Sequence, residues 1–146
     1  MQVTIDPART RRIRRHLLTD DHGGYVRDPV RTVLRIEALV VLVALVALYW
    51  RAHASWLLFV VLLLTPDVAM LGYLRGTRVG AWSYNAFHTY VAPVVCLGAS
   101  LYVPLLFPIA IVWAAHIAMD RALGYGLKYE DAFQHTHLGI IGKTKG

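Results

Sequence analysis

A single cysteine, Cys96, leaves this chain no partner for an intramolecular disulfide, and no Cys pair is present to seed a zinc knuckle or a redox couple. Cys96 lies inside an apolar run, where packing is the expected role of a small sulfur side chain. Charge is scarce as well: 16% of the 146 residues are Asp, Glu, Lys or Arg, against 57% that are hydrophobic. A soluble domain of this size cannot cover so much apolar surface, so a membrane is the expected surrounding. Acidic residues are the rarer sign, nine against fifteen Lys and Arg, for a formal charge of +6. The start of the chain lacks the short basic stretch and prompt apolar region of a cleavable signal. About 30 mostly polar residues precede the first apolar run, so the first helix is expected to be retained. Arg11-Arg12 and Arg14-Arg15 lie too far upstream of that run for a twin-arginine signal. There is no internal repeat and no low-complexity linker.

What is present is a set of long apolar runs. About 20 helical residues cross a hydrocarbon core of ~30 Å. Four stretches approach that length: VLRIEALVVLVALVALYW (33–50), ASWLLFVVLLLTPDVAMLGYL (54–74), AWSYNAFHTYVAPVVCLGAS (81–100) and LYVPLLFPIAIVWAAHIAMDRAL (101–123). Their short connections require antiparallel neighbours. The expected fold is all-α, an antiparallel four-transmembrane-helix bundle over 31–123, with a basic segment over 1–30 and a C-terminal tail over 124–146.

Lys and Arg set the expected orientation. Arg9 to Arg31, the 75–78 loop and Lys128, Lys143 and Lys145 fall on one side, leaving Arg51 on the other, so both termini are expected in the cytoplasm, in a multi-pass inner-membrane protein. The stretch DPARTRRIRRHLL, with Asp6 as cap and Pro7 in the first turn, reads as a helix held against anionic headgroups. Nucleic acid is the rival reading of the positive charge and is set aside, because topology already uses those residues. Trp50, Trp56, Trp82, Tyr25, Tyr49 and Tyr102 read as interface anchors.

Ionisable residues within a span cost a few kcal/mol each by insertion scales, so each needs a reason. Threaded through the expected topology, Glu37, Asp67, Asn85, His88, His116 and Asp120 fall in roughly the cytoplasmic third to half of the membrane. His116 and Asp120 share a helix face at i,i+4, as do Tyr84 and His88, and Pro66 should kink the second helix beside Asp67. Glu37 reads as a structural residue that snorkels or pairs with Arg35 or Arg121. Histidines and carboxylates converging from several helices suit Zn²⁺, Fe or Mn, although no HExxH or repeated ExxH occurs. The bland alternative is a buried hydrogen-bond network that fixes helix packing.

The tail GYGLKYEDAFQHTHLGIIGKTKG has glycines to end the last helix and aromatic residues to bury, so it is expected to fold back over the cytoplasmic mouth with His135 and His137 near the polar layer. PDVAMLGYLRGTRVGAWSYNAFHTYVAP together with WAAHIAMDRALGYGLKYEDAFQHTHLG resembles the small bacterial membrane-protein family catalogued as domain of unknown function 4260. Asp67, Asn85, His88, His116, Asp120, Arg121 and His137 occupy the polar positions of that pattern. The resemblance implies a membrane fold and a shared polar layer, and supplies no reaction.

These residues lead to a membrane enzyme with a cytoplasm-facing pocket for a lipid-like substrate. Asp67, His88, His116 and Asp120 are the candidate catalytic and metal-ligating groups, with His137 as a further ligand. Asn85, Tyr84, Trp113, Arg121 and Lys128 are the candidate substrate-binding groups. Metal-assisted hydrolysis is the leading reaction. A metal-free terpenoid or quinone-type cyclase or isomerase using a buried Asp is the enzymatic alternative, and a transport, proton-relay or scaffold subunit the non-enzymatic one. Association with copies of itself is left open.

Overall fold

A computed structural model describes residue 26 and residues 28–141. The expected headgroup-bound helix after Asp6, Tyr25, and the distal lysines Lys143 and Lys145 lie outside the described residues. The chain is mostly helical. α1 is Val30–Arg51. α2, Trp56–Leu63, is followed by a 3-10 helix, Thr65–Arg75. Then come α3, Thr77–Phe87, α4, Val91–Ala99, and α5, Leu106–Leu123. A short antiparallel hairpin closes the fold, with β1, His135–Thr136, against β2, Gly139–Ile140, so that His135 faces Ile140 and Thr136 faces Gly139.

Three spans, Val30–Arg51, Trp56–Arg75 and Leu106–Leu123, are long and apolar enough to cross a membrane. They pack together, α5 lying against α1, α2 and α4, while the 3-10 helix packs on α3. Outside the packed seams most large apolar side chains are exposed, Leu57 at 76% and Leu74 at 85%, an arrangement suited to lipid and costly in water. Tyr49, Phe59, Ile111, Val112 and Ala115 form the core cluster near the α1–α2 turn. Tyr49 closes that turn by donating to the Ser55 carbonyl at 2.6 Å.

Of the four runs, 81–100 differs from expectation. It is two shorter helices, α3 and α4, separated at His88–Tyr90. Pro93 has no N–H for the Thr89 carbonyl, so the helix is interrupted one turn before it. The fourth run also starts later, at Leu106, because Pro104 and Pro108 are tolerated only before or within a first turn. The kink expected at Pro66 is a change of helix type: 3-10 geometry persists to Arg75, much longer than such helices usually run. Close contact with α3 holds it. A Cβ on Gly72 would overlap the Ser83 side chain, one on Gly80 would overlap the Tyr73 ring, and Ser83 Oγ donates to the Ala69 carbonyl at 2.8 Å.

α5 ends in a Schellman motif. Gly124 takes the left-handed conformation at φ 97°, the Tyr125 amide returns to the Asp120 carbonyl at 2.7 Å, and the Gly124 amide to that of Arg121 at 3.1 Å. Arg35 of α1 donates to the Ala122 carbonyl at 2.9 Å, placing a cation at the negative end of the helix. From Gly124 the chain turns back, and Lys128 bridges to Thr136 beside the hairpin.

Candidate metal centre

His116 and Asp120 come from successive turns of α5, His88 from the break after α3, and Asp67 from the first turn of the 3-10 helix. One ligand atom from each of these four lies within 4.8 Å of all the others. The two Nε2 atoms are 3.0 Å apart. Asp67 Oδ1 lies 3.5 Å from His88 Nε2 and 3.6 Å from His116 Nε2, and Asp120 Oδ2 lies 3.5 and 3.7 Å from the same atoms. Ligands held about 2.0–2.1 Å from one ion in a tetrahedron stand about 3.3 Å from each other, so these separations suit a single small cation. Two carboxylates also balance the charge of a divalent ion where the surroundings are apolar.

The neighbours prepare two of the ligands. His88 Nδ1 is 2.8 Å from the Tyr84 carbonyl, which only accepts, so the ring proton sits on Nδ1 and the Nε2 lone pair points into the cluster. The Tyr84 ring stacks on His88 at 3.6 Å, and its hydroxyl donates to Asp120 Oδ2 at 2.9 Å. His116 Nδ1 is buried with no partner among the described residues. His88 and His116 are buried, whereas the Asp67 side chain is 42% exposed, so the group is most accessible at Asp67.

The helix break is held open by side chains of α5. Trp113 Nε1 donates to the Phe87 carbonyl at 2.7 Å, and Arg121 Nη2 lies 3.4 Å from the His88 carbonyl. Backbone acceptors that the break removes from the helix are thereby satisfied, as burial requires.

The remaining expected site residues are placed differently. Asn85 is a clamp: its amide donates to the Lys128 carbonyl at 2.9 Å and accepts from the Lys128 N–H at 2.7 Å, fastening the tail to α3. Lys128 is buried, donates to the Phe133 carbonyl at 2.8 Å and lies over the Phe133 and Tyr84 rings; burial lowers its pKa. His137 does not join the four. The Leu127 amide donates to its Nδ1 at 2.8 Å, and its Nε2 faces Arg121 Nη1 at 3.1 Å. Burial, then the guanidinium, holds the His137 pKa below its ordinary value. His135 is engaged by Asp131 at 2.7 Å. Glu37 makes no ion pair with Arg35 or Arg121 among the described residues. The sequence reading missed the stitched break at His88; Pro93, one turn beyond it, is the signal that marks it.

Fold and site define a mostly helical protein with three candidate membrane spans and a His/Asp group, mostly buried, that could hold a metal ion. The chain belongs to the family described as Domain of unknown function (DUF4260), whose model matches residues 31–141. No curated protein and no solved structure matches it.

Proposed function

We propose that this protein is an integral membrane enzyme that hydrolyses a lipid-like, amphipathic substrate with a divalent ion held by Asp67, His88, His116 and Asp120. The observation that carries this reading is the convergence of four ligand atoms from three helical runs within 4.8 Å, with the Asp67 side chain partly exposed. Four protein ligands complete a tetrahedron, so a substrate oxygen would enter as a fifth ligand, from the side where the Asp67 side chain is partly exposed. A divalent ion there would supply Lewis acidity, polarising a substrate oxygen and making water a stronger acid. The chain's own residues orient the ligands: the Tyr84 carbonyl fixes the His88 tautomer, and the Tyr84 hydroxyl aims Asp120.

An amphipathic substrate follows from the surroundings. Exposed Val68 and Leu71 on the helix of Asp67, and exposed Leu64 just before it, suit the approach of an apolar tail along the membrane. A groove of about 640 Å³ between α3 and the tail, lined by Ala81, Trp82, Ala86 and Leu127 together with Asn85, Lys128 and Glu130, gives a second surface of mixed character. The orientation consistent with the charge distribution puts both termini and this end of the bundle in the cytoplasm, with α3 and α4 together making the fourth crossing.

Metal analysis of purified full-length protein tests the proposal. Stoichiometric Zn²⁺, Fe or Mn is expected in the wild type and absent from folded Asp67→Asn and His116→Ala. Tyr84→Phe, which keeps the stacked ring and loses the hydroxyl, should weaken binding about 10- to 100-fold. Well-folded wild type that takes up no metal rejects the reading. The 3.0 Å contact between the two Nε2 atoms favours one alternative, metal-free acid–base chemistry, since it is also the length of a hydrogen bond. In that case the Asp67 and His116 variants alter turnover of an isoprenoid-type substrate and chelators do not.

A further inference from the structure

A cavity of about 210 Å³ lies between α1, the α3–α4 break, the end of α5 and the returning tail. Leu34 and Val41 line it on one side with Glu37, and Tyr90, Arg121 and His137 line the other. It is smaller than the roughly 300–1,000 Å³ of pockets that take drug-sized ligands, so it suits a headgroup rather than a whole lipid.

Proton assignment within this cavity exposes a mismatch. The Leu127 amide can only donate, so His137 Nδ1 accepts and the one proton of the neutral ring sits on Nε2. That proton faces Arg121 Nη1, 3.1 Å away, on a guanidinium that can also only donate. Among the described residues two donors therefore confront each other without an acceptor between them. Arg121 Nε is buried and has no partner among the described residues either. An anionic oxygen placed beside the pair accepts from both, with the guanidinium steadied by the Tyr90 ring 5.6 Å below it. Glu37 lines the same cavity and is not within ion-pair distance of Arg121. Opposite charges near a membrane that share one cavity without meeting suit a ligand that carries both signs.

We infer that this cavity is a binding site for a zwitterionic headgroup, with Arg121 and His137 receiving its phosphate and Glu37 its ammonium group. The inference deepens the reading of the protein as an enzyme for an amphipathic substrate and rests on it. Arg121 follows the candidate ligand Asp120 directly and reaches the His88 carbonyl at 3.4 Å, so a headgroup held here is placed beside the candidate metal centre.

Calorimetric titration of the chelator-treated, full-length protein in detergent tests it, with dihexanoyl phosphatidylethanolamine, dihexanoyl phosphatidylglycerol and free phosphoethanolamine as probes. The ethanolamine lipid should bind the wild type about tenfold more tightly than the glycerol lipid, a difference of about 1.4 kcal/mol. Glu37→Gln, at an exposed helix position that does not threaten folding, should erase that preference and leave the glycerol lipid bound at least as well. Arg121→Gln should weaken both lipids. Binding of free phosphoethanolamine with the same Glu37 dependence identifies a soluble headgroup as sufficient; binding of the lipid alone shows that the Leu34 and Val41 side is needed. Equal affinity of the wild type for the two lipids, or indifference to Glu37→Gln, overturns the assignment. Because no metal is present, this outcome is independent of the metal analysis, and each reading can fail without the other.

Discussion

His137 shows how a single proton governs the tail. Its pKa in the folded tail is lowered, first by burial and then by Arg121, so the neutral ring is the form that docks. The folded value lies below the unfolded one of about 6.5. The contribution to tail docking is thus fully present above that pH and lost as the pH falls through the folded value. Amide hydrogen exchange over residues 126–138, corrected for intrinsic rates, should show protection declining from about pH 7.5 to about pH 5. In His137→Gln the part of that decline due to this imidazole should vanish; an unchanged profile contradicts the assignment. At this scale the sequence was legible where chemistry is local. The i,i+4 spacing of His116 and Asp120 already puts them on one face. It is silent at Asn85, expected among the substrate-binding groups, whose amide is held by the Lys128 backbone, a partner from the tail that local spacing does not show.

Between elements, backbone proximity decides the geometry. The 3-10 helix keeps its form against α3 because Gly72 leaves room for Ser83 and Gly80 leaves room for the Tyr73 ring. Gly72→Ala should push the two apart and destabilise the protein by about 1–3 kcal/mol, the usual cost of overpacking. Thermal unfolding in detergent measures that cost, and metal analysis of the same variant should show weaker binding, since Asp67 rides on the displaced helix. Unaltered melting and metal content would mean that the contact yields without moving Asp67. The choice of 3-10 over α geometry could not be read from the chain, because both suit the same apolar pattern and the neighbour selects between them. The interruption at His88 is half legible. Pro93 marks it, but the Trp113 and Arg121 side chains that hold its carbonyls come from a helix later in the chain.

The whole molecule packs most closely in two groups, α5 against α1, α2 and α4, and the 3-10 helix against α3, with α2 running on into the 3-10 helix. Asp67 belongs to the second, His116 and Asp120 to the first, and His88 sits where they join. An ion bound by all four would tie the groups together, so its binding energy would become stability. At a free metal concentration 100 times the dissociation constant the gain should be about 2.7 kcal/mol. A melting temperature that rises with added Zn²⁺ or Mn²⁺ in the wild type and stays constant in Asp67→Asn is the expected result; a rise of equal size in both would place the ion elsewhere. The apolar runs and the convergence of the His/Asp group were visible in the sequence because the hydropathy of long runs and the rarity of ionisable residues within them can be read directly. The partition into two groups was not, since it depends on which helix faces meet. That partition also bears on biogenesis. Synthesis runs from the N-terminus, so Asp67 and His88 are made well before His116 and Asp120. A nascent chain halted before α5 carries only half of the ligand set. Retention of an ion by all four ligands would then require that the last helix has docked against the rest.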